Sequence, residues 1–230
     1  MAAPAGGPRV RVYIDALNLY YGALKFSQFK WLNLVRLAEL ILPNHTVDLV
    51  RYFYTPVTGG AAARRQSVYV RALQTVPRLT MHRGHFLSNP DWMPLAPGAA
   101  VVRWWDGANW QPLPRPHAGM VQVLVTNTEE KGSDVNLASY LIRDASKKLC
   151  DWAVVISGDS DLVTPIDIVS KELKCPVMVF NPYRTRLSRE LMKVAAGGYA
   201  SFTDACLAAS QFPATMNDSK GLPITRPATW

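Results

Sequence analysis

The chain has 230 residues, 49% of them hydrophobic, which is enough to bury a full core in one domain. No stretch approaches the roughly 18 uninterrupted apolar residues of a membrane span, and the start, MAAPAGGPRV, lacks a basic then apolar leader, so a cytoplasmic protein without a membrane partner is expected. The net charge of +8 sits in the first half, where residues 1–120 carry 13 Lys and Arg against 5 Asp and Glu, while residues 121–230 carry 12 of each.

In chain order, RVRVYID (9–15) alternates and then turns apolar, a strand ending at Asp15. LNLVRLAELIL (32–42) reads as a helix capped by Asn33 and closed before Pro43. DLVRYFYTPV (48–57) is a second strand. AAARRQSVYVRALQTV (61–76) is a helix displaying Arg64, Arg65 and Arg71, and LTMHRGHF (79–86) is extended. Residues 88–118 hold Trp92, Trp104, Trp105 and Trp110 among prolines and read as an excursion from the sheet, with a hairpin on VVRWWDGANW. VQVLVTN (121–127) returns as a strand. A helix at 134–149, a strand at 152–157, a helix at 162–173, a strand at 175–181 and a helix at 187–195 follow.

This alternation predicts an α/β fold, three layers with a central, mainly parallel sheet. The domain expected is single, from 1 to 230, with a flexible start at 1–8, the insertion at 88–118 and a tail from 210. Cys150, Cys175 and Cys206 lie in apolar stretches and read as reduced core thiols. His82 and His85 fall in one expected strand on opposite faces, which argues against zinc.

Open parallel sheets bind ligands beyond the carboxyl ends of their strands. Asp15 follows the first strand, Asp159 and Asp161 follow VVIS, Asn181 and Arg184 follow VMVF, and Asp134 opens a helix, so all meet at one edge. Each aspartate alone has a plain role as a helix cap or dipole partner. Asp15, however, has no helix directly after it that needs a cap. Four carboxylates together repel unless a cation sits among them, and hard oxygen donors favour Mg2+ or Mn2+.

The segments YIDALNLYYG (13–22), EEKGSDVNLASYLIRDA (129–145), WAVVISGDSDLVTPIDIV (152–169) and VFNP (179–182) resemble the NYN domains, a branch of the PIN-like metal-dependent nucleases, and in particular their bacterial stand-alone members. Gly158 departs from the Asn usual there. The resemblance implies a PIN-like fold and a metal-dependent ribonuclease with Asp15, Asp134, Asp159 and Asp161 as catalytic metal ligands, supported by Asn18 and Ser157. It implies one or two Mg2+ or Mn2+ ions activating water against a phosphodiester of RNA, in preference to DNA. Lys131, Arg184, Arg186 and Arg189, with Arg64 and Arg65 on a second face, are the expected nucleic-acid contacts. The rival reading is a non-catalytic RNA-binding scaffold on the same fold. A dinucleotide-binding protein would carry GxGxxG after the first strand, and this chain does not.

Overall fold

The computed structural model describes residues 7–94, 103–105, 108–112 and 122–228. Strand β1 (Arg9–Asp15) runs into a short helix α1 (Ala16–Leu19) and a π-turn (Tyr20–Leu24), followed by α2 (Leu34–Ile41) and β2 (Thr46–Tyr54). Asn33 caps α2 by accepting from the amides of Val35 and Arg36, as its sequence position predicts. Next come α3 (Gly60–Leu73), β3 (Leu79–Arg83), β4 (His85–Pro94), β5 (Arg103–Trp105), β6 (Trp110–Pro112) and β7 (Gln122–Lys131). The last part holds α4 (Ser133–Ser146), β8 (Trp152–Ile156), α5 (Val163–Asp167), β9 (Val177–Phe180), α6 (Arg189–Val194), β10 (Gly198–Ala200), α7 (Asp204–Ala209), β11 (Thr215–Asn217) and β12 (Pro223–Thr225).

Six strands form one parallel sheet in the order β10-β9-β8-β1-β2-β3. From β1 the chain winds outward through β2 and β3, and from β8 it winds the other way through β9 and β10. Windings of opposite sense leave a crevice between the neighbours β1 and β8. Side chains alternate across β1: Val10, Val12 and Ile14 enter a core with Leu37 of α2 and Leu73 of α3, while Tyr13 enters a second core with Leu137 of α4 and Ile166 of α5. Helices therefore cover both faces, the three-layer α/β/α arrangement expected from the alternation of elements.

The chain forms two compact units, one built from residues up to 85 and from 130 onward, the other from 86 to 129. In the second, β4 pairs with β7, and β5 pairs antiparallel with β6 through Trp104↔Gln111 and Trp105↔Trp110, the hairpin expected on VVRWWDGANW. Much of the expected 88–118 excursion, and the expected flexible start except for residues 7 and 8, lie outside the described residues.

Several expectations change. LTMHRGHF is not one strand: it breaks at Gly84, where a Cβ would meet Thr55 Oγ1 at 2.5 Å and Ser133 Oγ at 2.8 Å. His82 and His85 thus belong to different strands. His82 Nε2 faces the Arg51 guanidinium at 3.3 Å, and burial with that cation lowers its pKa. The helix expected over 162–173 is a 3-10 turn (Ser160–Leu162), α5 and a π-turn (Ile168–Glu172) in succession. The expected tail from 210 carries the β11–β12 hairpin, anchored by buried Ile224 and by Arg71 pairing with Asp218. All three cysteines are free, with Cys150 and Cys175 buried and the Cys175 thiol directed at the Asp151 carbonyl at 3.9 Å. Among the described residues no helix is long and apolar enough to cross a membrane.

On the α4 face a polar knot is sealed in. Asp144, fully buried, accepts from Arg51 Nε at 2.8 Å and Tyr13 Oη at 3.1 Å and pairs with Arg11 at 3.2 Å. Burial pushes its carboxyl up, but the hydrogen bonds and charges of Arg51, Tyr13 and Arg11 outweigh it and hold the pKa below the usual range.

Candidate functional site

The crevice between β1 and β8 is where the predicted aspartates gather. Asp15, the last residue of β1 and 3% exposed, accepts three hydrogen bonds. Its Oδ1 takes the Asn18 amide at 3.0 Å, and its Oδ2 takes Asn18 Nδ2 at 2.6 Å and Ser157 Oγ at 3.0 Å. Asn18 Oδ1 in turn accepts from the Gly158 amide at 3.2 Å, so its side chain bridges the loops after β1 and β8. Ser157 Oγ accepts from the Asp159 amide at 3.1 Å, and Asp159 Oδ1 accepts from the Asp161 amide at 3.0 Å. Asn18 and Ser157 therefore both hold the Asp15 carboxylate. One premise is corrected: α1 follows Asp15 at once, and Asp15 caps it. Capping and site-building use the same carboxylate, because the chain must turn sharply as it leaves the sheet.

Asp134 enters from the first turn of α4, whose preceding residue, Gly132, takes the left-handed conformation. Burial, then the charges of Asp15, Asp159, Glu130 and Asp161, push its pKa up to about 7. Burial likewise raises Asp15, and its three hydrogen bonds only partly offset that. Glu130 is a fifth carboxylate that sequence reasoning missed. Its Oε1 accepts from Thr55 Oγ1 at 2.6 Å and Ser133 Oγ at 2.7 Å, tying the end of β2 to the start of α4. The sole signal in the sequence was its place in EEKGSDV, two residues ahead of a helix-opening glycine.

Tyr183 forms the other wall. A Cβ on Gly22 or on Gly158 would lie 3.1 Å from Tyr183 Cδ2, so the ring rests on two bare backbones. Asn181, fully buried, accepts from the Tyr183 amide at 2.9 Å and donates to Tyr199 Oη and to the Arg186 carbonyl, which shapes this loop. Asparagine at 158 would place its Cβ 2.6 Å from Asn181 Oδ1, which explains the glycine here.

An apolar groove of about 310 Å³ opens beside the aspartates, walled by Val135, Ala138, Ile142, Pro165 and Ile168 with Asp134 and Asp161 at its rim. The expected basic contacts are dispersed. Arg184 is paired with Asp204, Arg189 opens α6, Arg186 lends its carbonyl to Asn181, and Lys131 ends β7. Arg64 and Arg65 ride on α3, which packs on the sheet face opposite α4. Among the described residues, no three acidic, imidazole or thiol side chains stand close enough to enclose a metal ion as placed.

No family model matches the chain. Along 96% of its length it is 26% identical to a protein of Pseudomonas putida named 6-hydroxy-3-succinoylpyridine 3-monooxygenase HspA, 75% of which the alignment covers. The nuclease reading does not survive this. That relative is named a monooxygenase, which is an oxidoreductase, and this finding overturns the expected ribonuclease, phosphodiester hydrolase and RNA-binding scaffold. The physical source of the error is plain: carboxylates at a sheet edge specify hard donors and local acid-base character, and neither names a reaction. A protein of unknown function from Vibrio parahaemolyticus superposes with a TM-score of 0.52 at 13% identity, over 88% of this chain and 98% of that one, and supports the fold alone.

Proposed function

We propose that the chain is an oxidoreductase of the monooxygenase type, acting on a small hydroxylated heteroaromatic ring at the carboxylate edge between β1 and β8. The observation that carries this is the relationship to HspA along 96% of the chain. The geometry supplies a compatible chemistry. Asp134, with a pKa of about 7, is matched to accepting a proton at neutral pH. A ring hydroxyl that gives it up becomes electron-rich, the state in which an aromatic carbon is most open to oxygen. The apolar groove beside Asp134 offers the ring a dry face. Asn18 and Ser157 fix Asp15 and so keep the neighbouring negative charge in place.

The residues fit some helper groups better than others. The chain after β1 reads IDALN instead of GxGxxG, so a dinucleotide held in that manner does not fit. Among the described residues a histidine-ligated iron does not fit either: His82 is engaged with Arg51, His45 packs edge-on against Trp152 at 5.3 Å, and no three imidazole, thiol or carboxylate groups stand together for a metal. A hard divalent cation, Mg2+ or Mn2+, fits the donor chemistry of Asp15, Asp134, Asp159 and Asp161, all of them hard carboxylate oxygens. It would neutralise their mutual repulsion and polarise a ring oxygen. We also read the fold as PIN-like, on the order in which Asp15, Asp134 and Asp159 follow their strands and helix.

The test is oxygen incorporation. Purified protein is given 6-hydroxy-3-succinoylpyridine, reduced nicotinamide and reduced flavin under 18O2, and products are read by mass spectrometry. One labelled oxygen in the product, with turnover falling in Asp134→Asn, is expected. Product formed without label, or no product from any 6-hydroxypyridine tried, would refute the proposal.

A further inference from the structure

We propose that the pocket beside the Tyr20–Leu24 turn is the seat for the anionic tail of a small aromatic acid, gripped by Lys25 and Arg184 among Tyr21, Phe26 and Phe29. This deepens the proposed function and rests on it. The pocket has a volume of about 480 Å³ and is lined by those five residues and Asp204, among others. Its charge favours an anion: two cations against one carboxylate leave one net positive charge. Lys25 Nζ lies 4.8 Å from the Tyr21 ring centre and 5.3 Å from that of Phe26, so two aromatic faces hold the ammonium at the mouth. Phe26 is 93% exposed and Tyr21 52%, a pair of aromatic surfaces with no packing duty to explain them.

Location ties this pocket to the carboxylate edge. Gly22 lines it, and a Cβ on Gly22 would meet Pro182 Cβ at 2.7 Å and Tyr183 Cδ2 at 3.1 Å. Tyr183 also stands against Gly158, where a Cβ would lie 3.1 Å from its Cδ2, so its ring lies between the pocket's Gly22 and the loop after β8 that carries Asp159. An acid tail cannot lie among Asp134, Asp159 and Asp161, which would repel it. It is drawn instead to Lys25 and Arg184, which line the pocket with Gly22. Charge alone thereby orients the substrate, with its anionic end outward and its hydroxyl end toward Asp134. A carboxylate on the ring's side chain, as in a succinoyl group, is the chemistry that satisfies both ends.

The test is calorimetric binding of 6-hydroxy-3-succinoylpyridine and of its neutral methyl ester at pH 7.5. The acid is expected to bind at least tenfold tighter than the ester to the wild type, and Lys25→Ala to abolish that difference while leaving ester binding unchanged. Asp204→Asn, which frees Arg184 from its ion pair, is expected to tighten the acid several-fold, a sign that generic destabilisation would not give. Phe26→Ala should weaken both ligands. Lys171→Ala, whose ammonium pairs with Asp167, should match the wild type. Equal affinity for acid and ester, absence of binding at millimolar ligand, or an unchanged preference in Lys25→Ala overturns the pocket assignment. Displacement of the acid by a micromolar single-stranded oligonucleotide also overturns it, by giving the pocket to a polyanion. The two readings fail separately. Labelled product with an unaltered KM in Lys25→Ala sinks the pocket and keeps the monooxygenase, whereas Lys25-dependent binding without labelled product does the reverse.

Discussion

Replacing Asp134 with Asn should make the protein more stable at pH 8, although it removes a central site residue. The carboxyl has been moved from its ordinary value of 3.8 to about 7, chiefly by burial and then by Asp15, Asp159, Glu130 and Asp161. At 1.36 kcal/mol per pH unit that corresponds to ~4 kcal/mol. The side chain is half-buried, so solvent screening reduces the figure to roughly 2 kcal/mol. The sign follows from proton linkage: between pH 4 and 7 the folded state holds this proton more tightly than the unfolded state. Wild-type stability from this group is therefore highest below pH 4 and is lost as pH rises through about 7. Asparagine cannot ionise and escapes that loss. Urea unfolding in EDTA from pH 4.5 to 8.5 should show wild type and Asp134→Asn converging at the acid end. By pH 8 the variant should lead by about 2 kcal/mol, or roughly 4–8 °C in Tm. A variant less stable than wild type at pH 8, or a gap that does not change with pH, would refute the electrostatic account. Added Mn2+ should narrow the gap by stabilising the wild type more, as expected if Asp134 helps hold a divalent cation.

Asn18→Ala removes the donor to Asp15 Oδ2 and the acceptor for the Gly158 amide, and should cost about 1.5–3 kcal/mol in urea unfolding, the range for hydrogen bonds to charged groups. Gly158→Asn adds a Cβ that crowds Asn181 and Tyr183; a loss of about 1–3 kcal/mol is expected in urea unfolding. Arg51→Met strips Asp144 of its strongest partner and should cost about 3–5 kcal/mol, much of it recovered in Arg51→Met with Asp144→Leu, a comparison made by thermal unfolding. With an aromatic disulfide reagent, half-buried Cys206 should react first and Cys150 and Cys175 only at the rate of global opening, as measured by absorbance in native buffer.

The layers of this molecule were legible because periodicity reports burial. The apolar runs at 152–156 and 177–180 could only be strands covered on both faces, and the stripe in 34–41 only a helix. Asp15, Asp159 and Asp161 were found by the rule that strand ends build sites and Asp134 by its place at a helix start, while Asn18 and Ser157, now seen bonded to Asp15, were singled out through the family resemblance. Glu130 and Tyr183 were not found, because each acts through a loop whose path is set by contacts distant in sequence, Thr55 for one and Gly22 for the other. The helix near 162–173 was misread as continuous because local spacing cannot distinguish a turn of 3.0, 3.6 or more residues over so short a span. Reaction class was not legible at all: a cluster of carboxylates is common ground for hydrolysis and oxidation alike, and the hydrolytic reading was overturned only by likeness to a named monooxygenase over 96% of the chain.

The central position of β1 has a consequence for biosynthesis. Its second neighbour, β8, lies far down the chain, with Ser157 142 positions after the Asp15 it bonds. At translation rates of about 5–20 residues per second, that leaves one flank of an apolar strand without its partner for roughly 7–28 s. Through that interval the nascent chain holds Val10, Val12 and Ile14 beside an open row of amides and carbonyls, the template on which strands of other chains add. Yield in the cell should therefore respond to anything that hastens arrival of the second half, such as faster codons between β3 and β8, or that shields the waiting edge, such as raised chaperone levels. Neither change would alter the finished protein's melting temperature.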